Sequence, residues 1–137
     1  MYNDLVTQDV DNPKYLFYVC SKYGLDAIVP KDNEAIVLLP SIELVAPYAF
    51  IDSIKENSKD LDCKITIPNN NEYPFMIIEN ARIDENISGY IYAFLKDETM
   101  IKDNDSYVYR CNEEIVPYAV FQADFDHFVK NYQIKNN

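Results

Sequence analysis

The stretch "FQADFDHFVKNY", Phe121 to Tyr132, holds the only histidine of this 137-residue chain, with Asp126 beside it and Asp124 one helical turn earlier. Histidine with a carboxylate at hand is the usual starting point for general acid–base catalysis or for a metal site. Either use needs further partners. A zinc centre normally draws on three convergent protein ligands, and with no second histidine here they would have to be carboxylates and thiols. The spacing gives the same residues a plainer role. Phe125, Phe128, Val129 and Tyr132 stand at i, i+3, i+4 and i+7, within an arc of about 100°, which is the apolar stripe of an amphipathic helix. At about 100° per residue, His127 falls roughly 160° from the centre of that stripe, on the solvated face. Asp124 and Asp126 then occupy the first turn, where carboxylates satisfy free amides and favour the positive end of the helix. The expectation is a capped surface helix closing the chain, with no catalytic histidine.

Other clusters are tested by the same standard. In "DNDSYVYRCNEE", Asp103, Asp105 and Glu114 match the first, third and twelfth positions of a calcium loop. Such a loop needs glycine at its sixth position, where Val108 stands, and an oxygen donor at its fifth, where Tyr107 stands. Neither requirement is met, and the alternation of Tyr107, Val108 and Tyr109 predicts a strand instead. The carboxylate pairs Asp84–Glu85, Asp97–Glu98 and Glu113–Glu114 fall in polar stretches, where adjacent acids are solvated surface rather than the two arms of a hydrolytic cleft. Gly24 and Gly89 are the only glycines, so no Walker loop, dinucleotide-binding GxGxxG or GxSxG elbow can be written. Cys20, Cys63 and Cys111 are odd in number, widely spaced and set among apolar neighbours, as expected for structural thiols in a reducing compartment. No catalytic residue, cofactor or metal is therefore expected.

Charge narrows the field further. Lys and Arg total 12 against 23 Asp and Glu, for a net charge of −11 and a pI near 4.3. Phosphate backbones are bound by Lys and Arg, and Arg82 and Arg110 are the only arginines, so neither nucleic acid nor an anionic membrane is an expected partner. The longest apolar run, "LVAPYAFI", falls far short of the ~20 residues that cross a bilayer. The acidic start "MYNDLVTQDVDN" lacks a secretory pattern. A cytoplasmic protein is the expectation.

The elements that must position these residues are read from period and punctuation. "DNPKYLFYVCSKYGL" has Asn12 and Pro13 as a helix start and Gly24 as a helix stop, predicting a helix, although Tyr15 to Val19 are strand formers. "AIVPKDNEAIVLLP" predicts a hairpin turning at Lys31, Asp32 and Asn33. A second helix is expected from Phe50 to about Asn57. Cys63, Ile65 and Ile67 alternate with polar residues, and "PFMIIE", "GYIYAFL", "SYVYRC" and "EIVPYAVF" add strand candidates. The expected fold is one acidic α+β domain over residues 1–137. It would hold a mainly antiparallel sheet of about five to seven strands and roughly two or three helices. An echo between Glu43–Ile54 and Glu114–Phe125, both carrying Pro-Tyr-Ala, is too short to argue a duplication.

Tyrosine placement is the one positive signal. In "GYIYAFL", Tyr90, Tyr92 and Phe94 share one face and Ile91, Ala93 and Leu95 the other, so the strand is either buried on both sides or offers aromatics to a partner. Tyr107 and Tyr109 would lie across a hairpin whose loop carries Asp97, Glu98, Asp103 and Asp105; if Arg110 and Val108 face water the two tyrosines turn inward to the core, and otherwise they join the aromatic face. Small size, acidity and this aromatic strand suggest a module that binds a basic protein, comparable with intracellular inhibitors, immunity proteins or secretion chaperones. Its negative field would steer the partner and its tyrosines would be desolvated on contact. A small-ligand binder or carboxylate enzyme, and a subunit that dimerises through the aromatic strand, are the alternatives.

Overall fold

A computed structural model describes residues 8–67, 76–83 and 86–135. The order is β1 (Tyr15–Cys20), β2 (Ile36–Leu38), helix α1 (Ile42–Val45), a 3-10 turn (Ala46–Phe50), helix α2 (Ile51–Asn57), β3 (Lys64–Thr66), β4 (Met76–Glu79), β5 (Tyr90–Leu95), β6 (Met100–Lys102), β7 (Tyr109–Cys111), β8 (Ala119–Gln122), helix α3 (Phe125–Phe128), a 3-10 turn (Val129–Asn131) and β9 (Tyr132–Lys135). The fold is α+β. Among the described residues, nine strands form three three-stranded sheets, ordered β1-β5-β8, β2-β7-β6 and β3-β4-β9. Every pairing is antiparallel except β4 with β9.

The β1-β5-β8 sheet is the organising layer because both of its faces are apolar. Ile91 and Ala93 of β5 and Phe17 of β1 join Ile42, Ala49, Phe50 and Ile54 of the helical segment on one side. Tyr92 and Phe94 of β5 and Leu16 of β1 meet Leu38, Tyr109 and Cys111 of the β2-β7-β6 sheet on the other. Leu16, Phe17 and Tyr92 are fully buried, and each such side chain contributes about 1.5–3 kcal/mol by leaving water. Gly89 lets the helical segment close on the start of β5. A β-carbon there would lie 2.8 Å from Ala49 Cβ and 2.9 Å from the Ala49 carbonyl oxygen. The C-terminal end of α2 is fastened by Ser58 Oγ, which accepts from Arg82 N–H at 2.7 Å, and by the two-pronged Arg82–Asp60 pair at 2.7 and 3.0 Å. The Arg82 guanidinium holds the Asp60 carboxyl below the usual carboxylate range.

Several expectations change. The segment read as a first helix is strand β1, bonded to β5 in a six-residue register from Tyr15↔Leu95 to Cys20↔Tyr90. Its aromatic and β-branched interior fits a sheet buried on both faces, and this outweighs the boundary signals of Asn12, Pro13 and Gly24. The turn at Lys31–Glu34 does form, with Asn33 at φ 61°, but its arms diverge. Ile28 bridges to Ile115, whereas Ile36–Leu38 pairs with β7.

The closing helix lasts one turn and gives way to β9, whose pairing with β4 draws Tyr132 into the core and leaves Val129 exposed. Ile67, expected in a half-buried strand, lies beyond β3 and is half exposed. The helix expected at Phe50–Asn57 is present and begins earlier, at Ile42. Of the two echoing segments, Glu43–Ile54 is helical whereas Glu114–Phe125 holds the strand Ala119–Gln122, so they do not share one structure.

Candidate functional site

The acidic loop resolves into two turns around β6. Asp97 caps the first, its carboxylate accepting from Thr99 N–H at 2.8 Å and from Thr99 Oγ1 at 2.5 Å. The second closes where Asp103 N–H donates to the Val108 carbonyl at 2.8 Å, with Asp105 in the left-handed region at φ 60°. Asp103 also accepts from Arg110 Nε at 2.9 Å. Glu98 and Asp105 project into solvent. Asp103, the first residue of the calcium-loop count, is thus paired with Arg110.

The expected aromatic face is not assembled. β5 and β7 belong to different sheets, because β6 inside the supposed loop takes β7 as its partner. Tyr92, Phe94 and Tyr109 are core residues, at 0, 1 and 4% exposure. The Tyr92 hydroxyl is fully used, donating to the Lys22 carbonyl at 2.6 Å and accepting from Leu25 N–H at 3.2 Å. Tyr90 is half-buried, its ring 5.3 Å from that of Tyr23. Tyr107 alone of the five aromatics is exposed, at 44%.

An apolar surface of different composition lies at the end of β5. Leu95, Val116 and Tyr118 are each close to half exposed or more, and they line a hollow of about 360 Å³ floored by Phe94, Met100 and Ile115. Asp97 and Glu114 stand on its rim. Alternation put Leu95 on the same side as Ile91 and Ala93, which are buried. Leu95 escapes because β5 ends there, and no periodic signal marks Val116-Pro117-Tyr118 as a surface.

A second hollow, of about 610 Å³, opens at the far end of β8, where Ile91, Phe121 and Phe128 meet Asp124 and His127. His127 is exposed as its helical phase required. Asp124 does not orient it, since its carboxylate accepts from Asp126 N–H at 3.0 Å as the helix N-cap. The imidazole instead lies edge-on to Phe128 at 4.7 Å, with Nε2 3.8 Å from Glu43 Oε1. Both side chains of that pair are more than half exposed, so the contact is weak.

Among the described residues, no three His, Cys, Asp or Glu side chains converge as metal ligands. The pair Asp84–Glu85 lies outside the described residues. The three cysteines are free, with Cys111 buried and the other two half-buried. Burial pushes the Cys20 thiol up, away from the thiolate that a nucleophile requires. Among the described residues, no helix is long and apolar enough to cross a membrane. Comparison with protein-family models, curated proteins and solved structures found no match to this chain.

Proposed function

We propose that this chain is an intracellular protein-binding module for a basic partner, of the inhibitor, immunity or chaperone type. The observation that carries this reading is the acid-rimmed hollow of Leu95, Val116 and Tyr118 beside Asp97 and Glu114. Apolar side chains left in water on a chain of net charge −11 suit a partner that brings cations to the rim and apolar groups to the centre. The contact group therefore differs from the buried trio Tyr92, Phe94 and Tyr109, and Tyr107 and Glu98 serve at most as its periphery. Electrostatic steering would set the encounter rate and desolvation of the apolar group the lifetime of the complex.

Recovery of bound proteins from the native cells at low and at high salt tests the proposal, followed by kinetics with the purified partner. A basic protein whose association slows as salt rises is the expected result. Salt-independent binding of a small ligand, with saturable turnover, would overturn it.

A further inference from the structure

We propose that the hollow at the end of β5 is a preformed socket for one apolar side chain of the partner, a leucine or a residue of like size, flanked on the partner's own chain by lysines or arginines. This inference rests on the binding-module reading and specifies what enters the site.

The floor selects the occupant. Phe94, Met100 and Ile115 are buried hydrocarbon, and the backbone around them is already bonded. Ile115 exchanges two hydrogen bonds with Ile28 at 2.8 and 3.0 Å. Tyr118 N–H donates to the Ala93 carbonyl at 2.7 Å, and Met100 N–H to the Asp97 carbonyl at 3.2 Å. None of these three amides is left to receive a polar ligand. A guanidinium or ammonium group pushed onto this floor would leave water and gain no partner there, whereas an apolar group gains by the same move. The volume of about 360 Å³ stands at the lower end of ligand cavities, which run from ~300 to ~1,000 Å³. It suits a side chain better than a cofactor.

The rim selects what surrounds that side chain. Asp97 and Glu114 are exposed there, and no described residue lining the hollow is a lysine or arginine. Asp97 is held in place by the two bonds that Thr99 makes to its Oδ1, so its charge stays at the mouth and in solvent. Lys96, next to Leu95 in sequence, has its Nζ 5.9 Å from the centre of the Tyr109 ring. Charge complementarity therefore favours cations beside the inserted group. It disfavours a second copy of this chain, which at −11 would set acid against acid.

The walls are fixed before anything binds. Pro117 has its own φ locked and keeps Val116 extended, and the Tyr118 ring packs on that of Tyr15 at 5.6 Å. Little ordering is then required on contact, the condition under which one inserted side chain dominates an interface.

The test is a set of pentapeptides with two lysines on either side of a variable centre, titrated into the methyl-labelled full chain at low and at high salt. The flanking charge is constant, so any difference belongs to the centre. Leucine there should bind at least about tenfold more tightly than alanine, because three additional carbons leave water. That ratio should persist at high salt while both affinities fall, and the shifted methyl signals should be those of Leu95, Met100, Ile115 and Val116. Val116→Ser, at a residue 71% exposed, should erase most of the preference for leucine with an unchanged circular dichroism spectrum. The peptide series itself needs no variant. Equal affinity for leucine and alanine would overturn the socket, and salt-dependent recovery of a basic partner would then show that the module reading stands without it. Tighter binding of an arginine centre than of leucine at high salt would overturn the apolar occupant. Failure of the leucine peptide to bind would overturn the inference as stated; joined to failure to recover any basic partner, it would overturn the module reading too. The same methyl shifts in a concentration-dependent dimer without peptide would replace the partner by a second copy.

Discussion

The Tyr92 hydroxyl donates to the carbonyl of Lys22, 70 residues away in sequence, at 2.6 Å, and accepts from Leu25 N–H at 3.2 Å. One buried phenol thus satisfies both a carbonyl and an amide of the loop that follows β1, where Gly24 turns at φ +80°. Tyr92→Phe should cost about 1–3 kcal/mol, because the truncation strands both loop groups without opening a large cavity. Denaturant midpoints measure this directly. Affinity for the partner should stay unchanged; a partner affinity that fell while the midpoint stayed put would return Tyr92 to the contact face.

Close approach makes a second test. At Gly89 an added β-carbon meets the Ala49 carbonyl oxygen at 2.9 Å as well as side-chain atoms, and a backbone carbonyl cannot swing aside as a flexible side chain would. Gly89→Ala should therefore destabilise by about 1–3 kcal/mol through overpacking. Gly24→Ala should also destabilise, for a different reason: its site is open but its φ is strained for any L side chain. Thermal melts of the two variants check both outcomes, and a neutral Gly89→Ala would mean that the helical segment packs on β5 less tightly than described.

At the C-terminal segment, the two readings of "FDHFVKNY" separate cleanly. His127→Ala should change stability by less than about 0.5 kcal/mol, the usual range for a surface site. Phe128→Ala should cost about 3–5 kcal/mol, because Phe128 lies in the core among Phe50 and its neighbours. Urea titration of both variants decides the matter. A large effect of His127→Ala would show that the long contact to Glu43 carries more than its geometry suggests.

The same segment explains what was legible in the sequence. The phase of His127 and the capping role of Asp124 were readable because one helical turn suffices to establish them. The strand β9 was hidden because Phe128 and Tyr132 are spaced alike for a helix and for the turn-then-strand observed. Only the long-range ladder with β4 decides between the two. For β1, the residues Tyr15 to Val19 carried the correct signal, but Pro13 and Gly24 marked loop geometry that happened to resemble helix boundaries. Partner choice among strands was the least readable property. The aromatic composition of β5 and β7 is the same whether they pair with each other or lie in different sheets, and the exposed group of Leu95, Val116 and Tyr118 gave no periodic sign of itself.

Alkaline titration offers a third kind of evidence. Tyr132 donates to the Pro47 carbonyl from a buried site, and burial holds its hydroxyl well above the ordinary phenolic value. In the unfolded chain it ionises near pH 10. The folded value is the raised one, so this contribution to stability is full below about pH 10 and is lost as pH rises toward the folded value. Tyr18 and Tyr48, also raised by burial, act in the same direction. Tyr132→Phe should lose about 1 kcal/mol at neutral pH with the hydrogen bond and show a shallower decline of the denaturant midpoint above pH 10. An unchanged alkaline slope would exclude Tyr132 as a main source of the decline.

Charge and contact should divide between the two rate constants of partner binding. Asp97 and Glu114 stand on the rim of the hollow, where their charges remain in solvent and act over a Debye length of ~8 Å at physiological salt. Reversing both to lysine should slow association, by about tenfold at low salt and much less at high salt, with little change in dissociation. Val116 and Tyr118 have no charge to steer with, and truncating them removes area that the complex would desolvate, together with the packing of the Tyr118 ring on Tyr15 at 5.6 Å. Val116→Ala and Tyr118→Ala should therefore speed dissociation while leaving association and its salt dependence alone. Glu114→Lys and Val116→Ala should keep the wild-type denaturant midpoint within about 0.5 kcal/mol, whereas Asp97→Lys also removes the acceptor of the two Thr99 hydrogen bonds and should lower stability by about 1–2 kcal/mol. Stopped-flow or surface kinetics at two salt concentrations separates the outcomes. If the charge reversals instead raised the dissociation rate and left association untouched, the acids would be making direct bonds in the complex, and steering by the field would be the wrong account of their role.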